Sequence, residues 1–123
     1  MRFALLLLGT LAACATETTV ERARHAERES AAIRAQFPPG RATRAEVRAR
    51  WGRPEMALAR PSTGWSKAFV LDVEQKTGAY VARVERHVSP AGTSAGLLTL
   101  EHVWFFYDPD DVVVDVEWER AGD

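Results

Sequence analysis

The side chains that could do chemistry in this chain are few and scattered: one thiol, Cys14, three imidazoles, His25, His87 and His102, and an acidic run, Asp108-Pro109-Asp110-Asp111. A zinc site needs three or four Cys, His or carboxylate ligands converging on one point. His87 and His102 fall on two strands that pair by aligning Val88 with Leu97. That register sets His102 opposite Arg83 and separates the imidazoles by roughly four residues, ~13 Å at the rise of a strand. No metal and no cofactor is expected. The acidic run lacks the spaced ligands, glycine and distal glutamate of an EF-hand loop and reads as a hairpin turn. Ser62, Ser66, Ser89 and Ser94 stand in no nucleophile-elbow context, and neither a Gly-rich phosphate loop nor a separated carboxylate pair stands out. No catalytic residue emerges, and the chain reads as a non-enzyme.

The thiol has a context of its own. Met1-Arg2-Phe3-Ala4-Leu5-Leu6-Leu7-Leu8-Gly9-Thr10 places one positive charge before an apolar core and small residues, the layout of a secretory signal. It is too short to span a bilayer, which takes about 20 apolar residues. Leu11-Ala12-Ala13-Cys14 then resembles the bacterial lipobox, in which the thiol is lipidated and the signal is cut between Ala13 and Cys14. The peptidase needs small side chains at the scissile bond, and the lipid transferase needs a thiol nucleophile. The resemblance implies three acyl chains, and two or more give stable residence on a bilayer. It also implies, with Ala15 rather than Asp after the cysteine, an outer-membrane lipoprotein on the inner leaflet, facing the periplasm.

Residues 1–13 are thus expected to be a signal, 14–20 a flexible tether rich in small and polar residues, and 21–123 one domain. Composition agrees with a globular fold, at 46% hydrophobic and 27% charged, and the net charge of −1 gives no reason to expect nucleic acid. The charge is unevenly placed. Cys14 to Arg60 holds ten Arg against six Glu, whereas Pro61 to Asp123 holds five Lys or Arg against eleven Asp or Glu.

Two helices come first. Glu21 to Gln36 is rich in strong helix formers with opposite charges three or four apart, carries a thin apolar stripe of Ala26, Ile33 and Phe37, and is stopped by Pro38-Pro39-Gly40. A two-turn helix follows, with Thr43 and Glu46 as a capping box, Val47 and Trp51 one turn apart on one face, Gly52 as its terminator and Pro54 beyond. So short a helix needs docking to be stable. Arg41, Arg44 and Arg48 line one side of it, a possible contact for anionic lipid or a partner; the alternative is a solvated face neutralised by Glu46 and Glu55.

The order Gly40, Thr43, Val47, Trp51, Gly52, Pro54 resembles the signature of the small outer-membrane lipoproteins of the BamE (SmpA/OmlA) family. The match is close from Phe37 to Arg60. That resemblance implies an α+β, BLIP-like fold: two N-terminal helices packed on a small antiparallel β-meander of three to five strands.

The rest of the chain reads as β. Met56 to Arg60 is a first strand or an extended lead-in, and Trp65 to Val73 a strand. Ala79 to Val88 alternates with Tyr80, Ala82, Val84 and Val88 on one face. In Leu97 to Tyr107, Leu98, Leu100, His102, Trp104 and Phe106 share one face and Val103, Phe105 and Tyr107 the other, which marks a central strand. Val112 to Trp118 points Val112, Val114, Val116 and Trp118 inward and Val113, Asp115 and Glu117 outward. Short turns favour an antiparallel meander.

The function expected from these readings is binding: a scaffold module in outer-membrane protein assembly or envelope maintenance, with an exposed strand edge or the aromatics Trp65, Phe69, Phe105 and Tyr107 as its surface. The alternative is a periplasmic inhibitor or ligand-binding lipoprotein that uses the open sheet face.

Overall fold

The computed structural model describes residues 18–60, 67–89 and 101–120. In chain order these form α1 (Thr19–Gln36), α2 (Arg44–Trp51), β1 (Met56–Ala59), α3 (Lys67–Thr77), β2 (Arg83–Val88), β3 (Glu101–Tyr107) and β4 (Val113–Arg120). The strands make one sheet in the order β1-β2-β3-β4 with every neighbouring pair antiparallel. The α+β architecture of two N-terminal helices on a meander is therefore present, with a third helix added.

Each helix starts and stops for a local reason. In α1 the Thr18 hydroxyl accepts from the Glu21 amide at 3.1 Å while the Glu21 carboxylate accepts from the Thr18 amide at 3.3 Å, a complete capping box. The helix thus begins at Thr19, earlier than the expected Glu21, and takes in the last residues assigned to the tether. Its buried stripe runs through Ala26, Ser30, Ile33 and Phe37, at spacings of four, three and four. Ser30 belongs to the stripe because both its needs are met: its hydroxyl donates to the Ala26 carbonyl at 2.7 Å and accepts from the Trp118 amide of β4 at 3.0 Å.

The expected strand over Trp65–Val73 is a helix from Lys67 onward; Trp65 itself lies outside the described residues. Phe69, Val70 and Val73 recur at three- and four-residue spacing and pack together on the sheet. Gly78, at φ +74°, ends the helix with its amide donating to the Glu74 carbonyl at 2.8 Å. Lying between β1 and β2 in sequence, α3 covers the face opposite α1 and α2.

Two cores result. One joins Ile33, Phe37, Ala42 and Val47 to Val103, Phe105, Tyr107, Val113, Val116 and Trp118; the other joins Val70, Val73 and Val81 to Val84, Phe106 and Val114. The two-faced reading of β3 agrees with this split. For β4 the expected alternation fails midway. Tyr107 pairs with Val113 but Phe106 with Asp115, so Val114 is an extra residue and the ladder bulges. Val113 therefore joins Val116 and Trp118 on the α1 and α2 side, while Val114 turns to the α3 side.

The β2–β3 register also differs from expectation. Val88 pairs with His102 and Arg83 with Tyr107, so His102 lies beside His87 along the ladder. Neighbouring positions on a strand face opposite ways, and the two imidazoles end on different faces of the sheet.

Candidate functional site

The short signature helix α2 sits over a buried carboxylate. Thr43 caps it by accepting from the Glu46 amide at 3.2 Å, without the reciprocal bond expected of a full capping box. At the other end the Gly52 amide donates to the Arg48 carbonyl at 2.8 Å with φ at +80°, a conformation that favours glycine. Val47 is fully buried. Trp51 packs edge-on against Phe37 and Phe105, with ring centroids 5.6 and 5.4 Å apart. Gly40 turns the chain into this helix and donates its amide to the Val113 carbonyl at 2.7 Å. Pro54 is half-buried just beyond it.

Beneath α2 lies Glu85 of β2, with no solvent exposure. The Arg48 guanidinium grips it as a fork, Nε donating to Oε1 at 3.3 Å and Nη2 to Oε2. Arg44 approaches Oε2 at 3.6 Å and also reaches Asp111 at 3.3 Å, and Asp111 takes the Arg83 Nε at 3.3 Å. Asp111 adopts φ +60°, a left-handed conformation that aspartate tolerates better than most residues. Burial by itself would raise the pKa of Glu85, but His87 and the two arginines outweigh it and hold the carboxyl at about 2.

The imidazole of His87 is buried against Trp51 and Phe105, with Nε2 3.6 Å from Glu85, beyond hydrogen-bond length. Burial, then the Glu85 charge, push the Tyr107 phenol above its ordinary value. A carboxylate so strongly acidic and already gripped by two guanidinia is a weak proton acceptor. What this cluster does is fasten α2 to the sheet.

Arg44 and Arg48, read from the sequence as possible lipid or partner contacts, therefore face Glu85 and Asp111. Arg41 is exposed and has no ion pair among the described residues. Phe105 and Tyr107, candidates for an aromatic binding patch, are core side chains, and Phe69 is half-buried against Trp104 and Phe106. Ala13 and Cys14 lie outside the described residues.

A second charged cluster closes the edge of β4. Asp115, almost fully buried, takes Arg34 of α1 at 2.8 Å and Lys76 of α3 at 3.1 Å, tying together helices on opposite faces. Next to it Glu117 has a raised pKa, through burial first and the Asp115 charge second. The remaining imidazoles are dispersed: His25 packs edge-on to Trp118 at 5.0 Å and His102 lies 3.4 Å from Glu55. Among the described residues no three His, Cys, Asp or Glu side chains are grouped to hold a metal ion, and no helix is long and apolar enough to cross a membrane.

Neither Glu85 nor Asp115 emerged from the sequence, because strict alternation with one solvated face sends both outward. The signal was nonetheless present. A β3 strand apolar on both sides requires both faces to be covered, and the residues opposite Phe105 and Val103 are Glu85 and His87. The Arg44–Arg48 pair, four apart on a docked helix, supplies the counter-charge.

The chain matches no family model, no curated protein and no solved structure.

Proposed function

We propose that this protein is a lipid-anchored component of the cell envelope, held through acyl chains at Cys14 on the inner leaflet of the outer membrane and facing the periplasm. It works there by binding, as a scaffold module in outer-membrane protein assembly or envelope maintenance. The reading rests on the lipobox-like Leu11-Ala12-Ala13-Cys14 and the resemblance to BamE-type lipoproteins from Phe37 to Arg60. It is supported by the two N-terminal helices on an antiparallel four-stranded sheet, which agree with the α+β fold that the resemblance implies, α3 being additional to it.

One structural observation carries the binding mode. β1 is a four-residue edge strand paired to β2 on one side, and among the described residues nothing pairs with its other side. Its outward alanines, Ala57 and Ala59, are exposed and leave the backbone approachable. An exposed sheet edge can receive an added strand from a partner. The alternative, an inhibitor or ligand-binding lipoprotein working through the sheet face, has less room, since α1 and α2 occupy one face and α3 packs on the other.

A photo-crosslinking residue at Ala57, in the full acylated chain and in living cells, tests this. Covalent recovery of barrel-assembly subunits supports the scaffold. Recovery of a lone soluble enzyme supports the inhibitor instead. The anchor is tested separately by Cys14→Ser, which is expected to abolish fatty-acid labelling and membrane fractionation while the domain still folds.

A further inference from the structure

The first turns of α1 stand exposed. Every residue from Thr18 to Arg24 is exposed, and the buried stripe of the helix begins only with His25 and Ala26. Val20, in the first turn, is 59% exposed. Just after these turns the His25 ring meets Trp118 of β4 edge-on, with centroids 5.0 Å apart.

The chain length before these turns decides what meets them. Four Cα steps separate Cys14 from the cap residue Thr18, a reach of at most ~14 Å even when fully extended. The helix itself, of 18 residues, is ~27 Å long. Its far end leads through Phe37 to Gly40, which bonds to Val113, and Arg44 follows with its amide donating to the Asp111 carbonyl. α2 and the β3–β4 turn are therefore carried at the end of the domain away from Cys14.

We propose that the exposed first turns of α1, Thr18 to Arg24, rest on the bilayer that holds the Cys14 acyl chains, with Val20 in the headgroup layer and α2 presented away from the membrane. This rests on lipidation of Cys14 as read above. A tether this short keeps the domain from roaming. An exposed valine on the last turns before the anchor then has an apolar boundary within reach.

The sole native thiol is acylated in the mature chain, so a single introduced cysteine is a unique labelling site. A fluorophore at Val20→Cys, or at the neighbouring Arg24→Cys, is compared with one at Glu46→Cys in α2, in the acylated full chain reconstituted into phosphatidylethanolamine–phosphatidylglycerol vesicles that contain spin-labelled lipid. The labels at 20 and 24 are expected to lose most of their emission and the label at 46 to keep it. Equal quenching at all three positions in an acylated chain overturns the docking while leaving the anchor intact. A chain that carries no fatty acid overturns the anchor itself. In Cys14→Ser chains the difference between positions is expected to vanish, and a difference that persists there refutes the tether argument.

Discussion

Replacing Glu85 by glutamine keeps the shape of the side chain and removes its charge, and the cost is expected to depend on pH in a specific way. A carboxyl moved from its ordinary 4.5 down to about 2 favours the folded state when charged by about 3 kcal/mol at most, at 1.36 kcal/mol per pKa unit. Because the folded pKa is depressed, that stabilisation is complete above about pH 5 and is lost as the pH falls towards 2. Glu85→Gln should therefore be destabilised by about 2–3 kcal/mol at pH 7, and the deficit should shrink to below about 1 kcal/mol near pH 2.5. The opposite truncation is worse. Arg44→Ala with Arg48→Ala leaves the carboxylate buried without a guanidinium, a loss of about 3–5 kcal/mol, whereas Glu85→Gln leaves cations that are 26% and 40% exposed and recover water. Urea unfolding of Cys14→Ser chains followed by tryptophan fluorescence measures all of this. A Glu85→Gln deficit that is the same at pH 7 and pH 2.5, or a double arginine variant milder than Glu85→Gln, would refute the reasoning.

Trp51→Ala removes the edge contacts with Phe37, Phe105 and His87 and is expected to cost about 2–4 kcal/mol, read as a lower denaturation midpoint with an unchanged slope. Gly78→Ala meets no atom within 4 Å, so its cost is the backbone's alone. About 1 kcal/mol is expected from placing a side chain at φ +74°, and a neutral result in thermal unfolding would argue against α3 ending at this residue. Asp115→Asn releases Arg34 and Lys76 together and should cost about 1.5–3 kcal/mol. The same change removes a negative neighbour from Glu117, so the carboxyl resonance of Glu117 should titrate at lower pH in NMR; a Glu117 titration that stays in place would exclude Asp115 as a source of its raised pKa.

What the sequence made legible was the local and the periodic. Thr43, Gly52 and the stripe of Ala26, Ile33 and Phe37 are decided within a few residues by hydrogen bonding and helix geometry, and α1 and α2 lie close to where they were expected, although the equally local Thr18 cap was read as tether. The two-faced character of β3 was readable for the same reason. The failures share another cause, which is that the deciding partner is distant in sequence. Whether Phe69, Val70 and Val73 make a strand or a helix depends on whether the second sheet face needs a cover, because β-branched and aromatic residues suit either. A single bulge at Val114 reverses the faces of half of β4, and no residue of that run announces it. The β2–β3 register was off because it was set from the hairpin end inwards, across a connection too long to fix it, whereas the core pairs Val84 with Phe106.

The uneven charge of the chain has its explanation in the same long-range contacts. Of the basic residues that crowd the first half, Arg34, Arg44, Arg48 and Arg60 are paired with Asp115, Glu85, Asp111 and Glu74, all carboxylates of the acidic second half. The excess of cations early and anions late thus reflects in part the docking of the first half of the chain on the second. Most exposed ion pairs contribute little, but Glu85 and Asp115 are buried, and a buried carboxylate accepts only an arrangement that supplies its counter-charge. Sliding α2 by one residue would move Arg44 and Arg48 about 100° around the helix, away from Glu85. The carboxylate thus selects one seating of the signature helix among those that Val47 and Trp51 would tolerate by packing alone. It follows that the signature from Gly40 to Pro54 and the pair Glu85 and Asp111 act as one unit. A substitution of Glu85 should disturb the presentation of α2 even in variants whose overall stability has been restored by changes elsewhere, which amide exchange at Val47 to Gly52 would reveal.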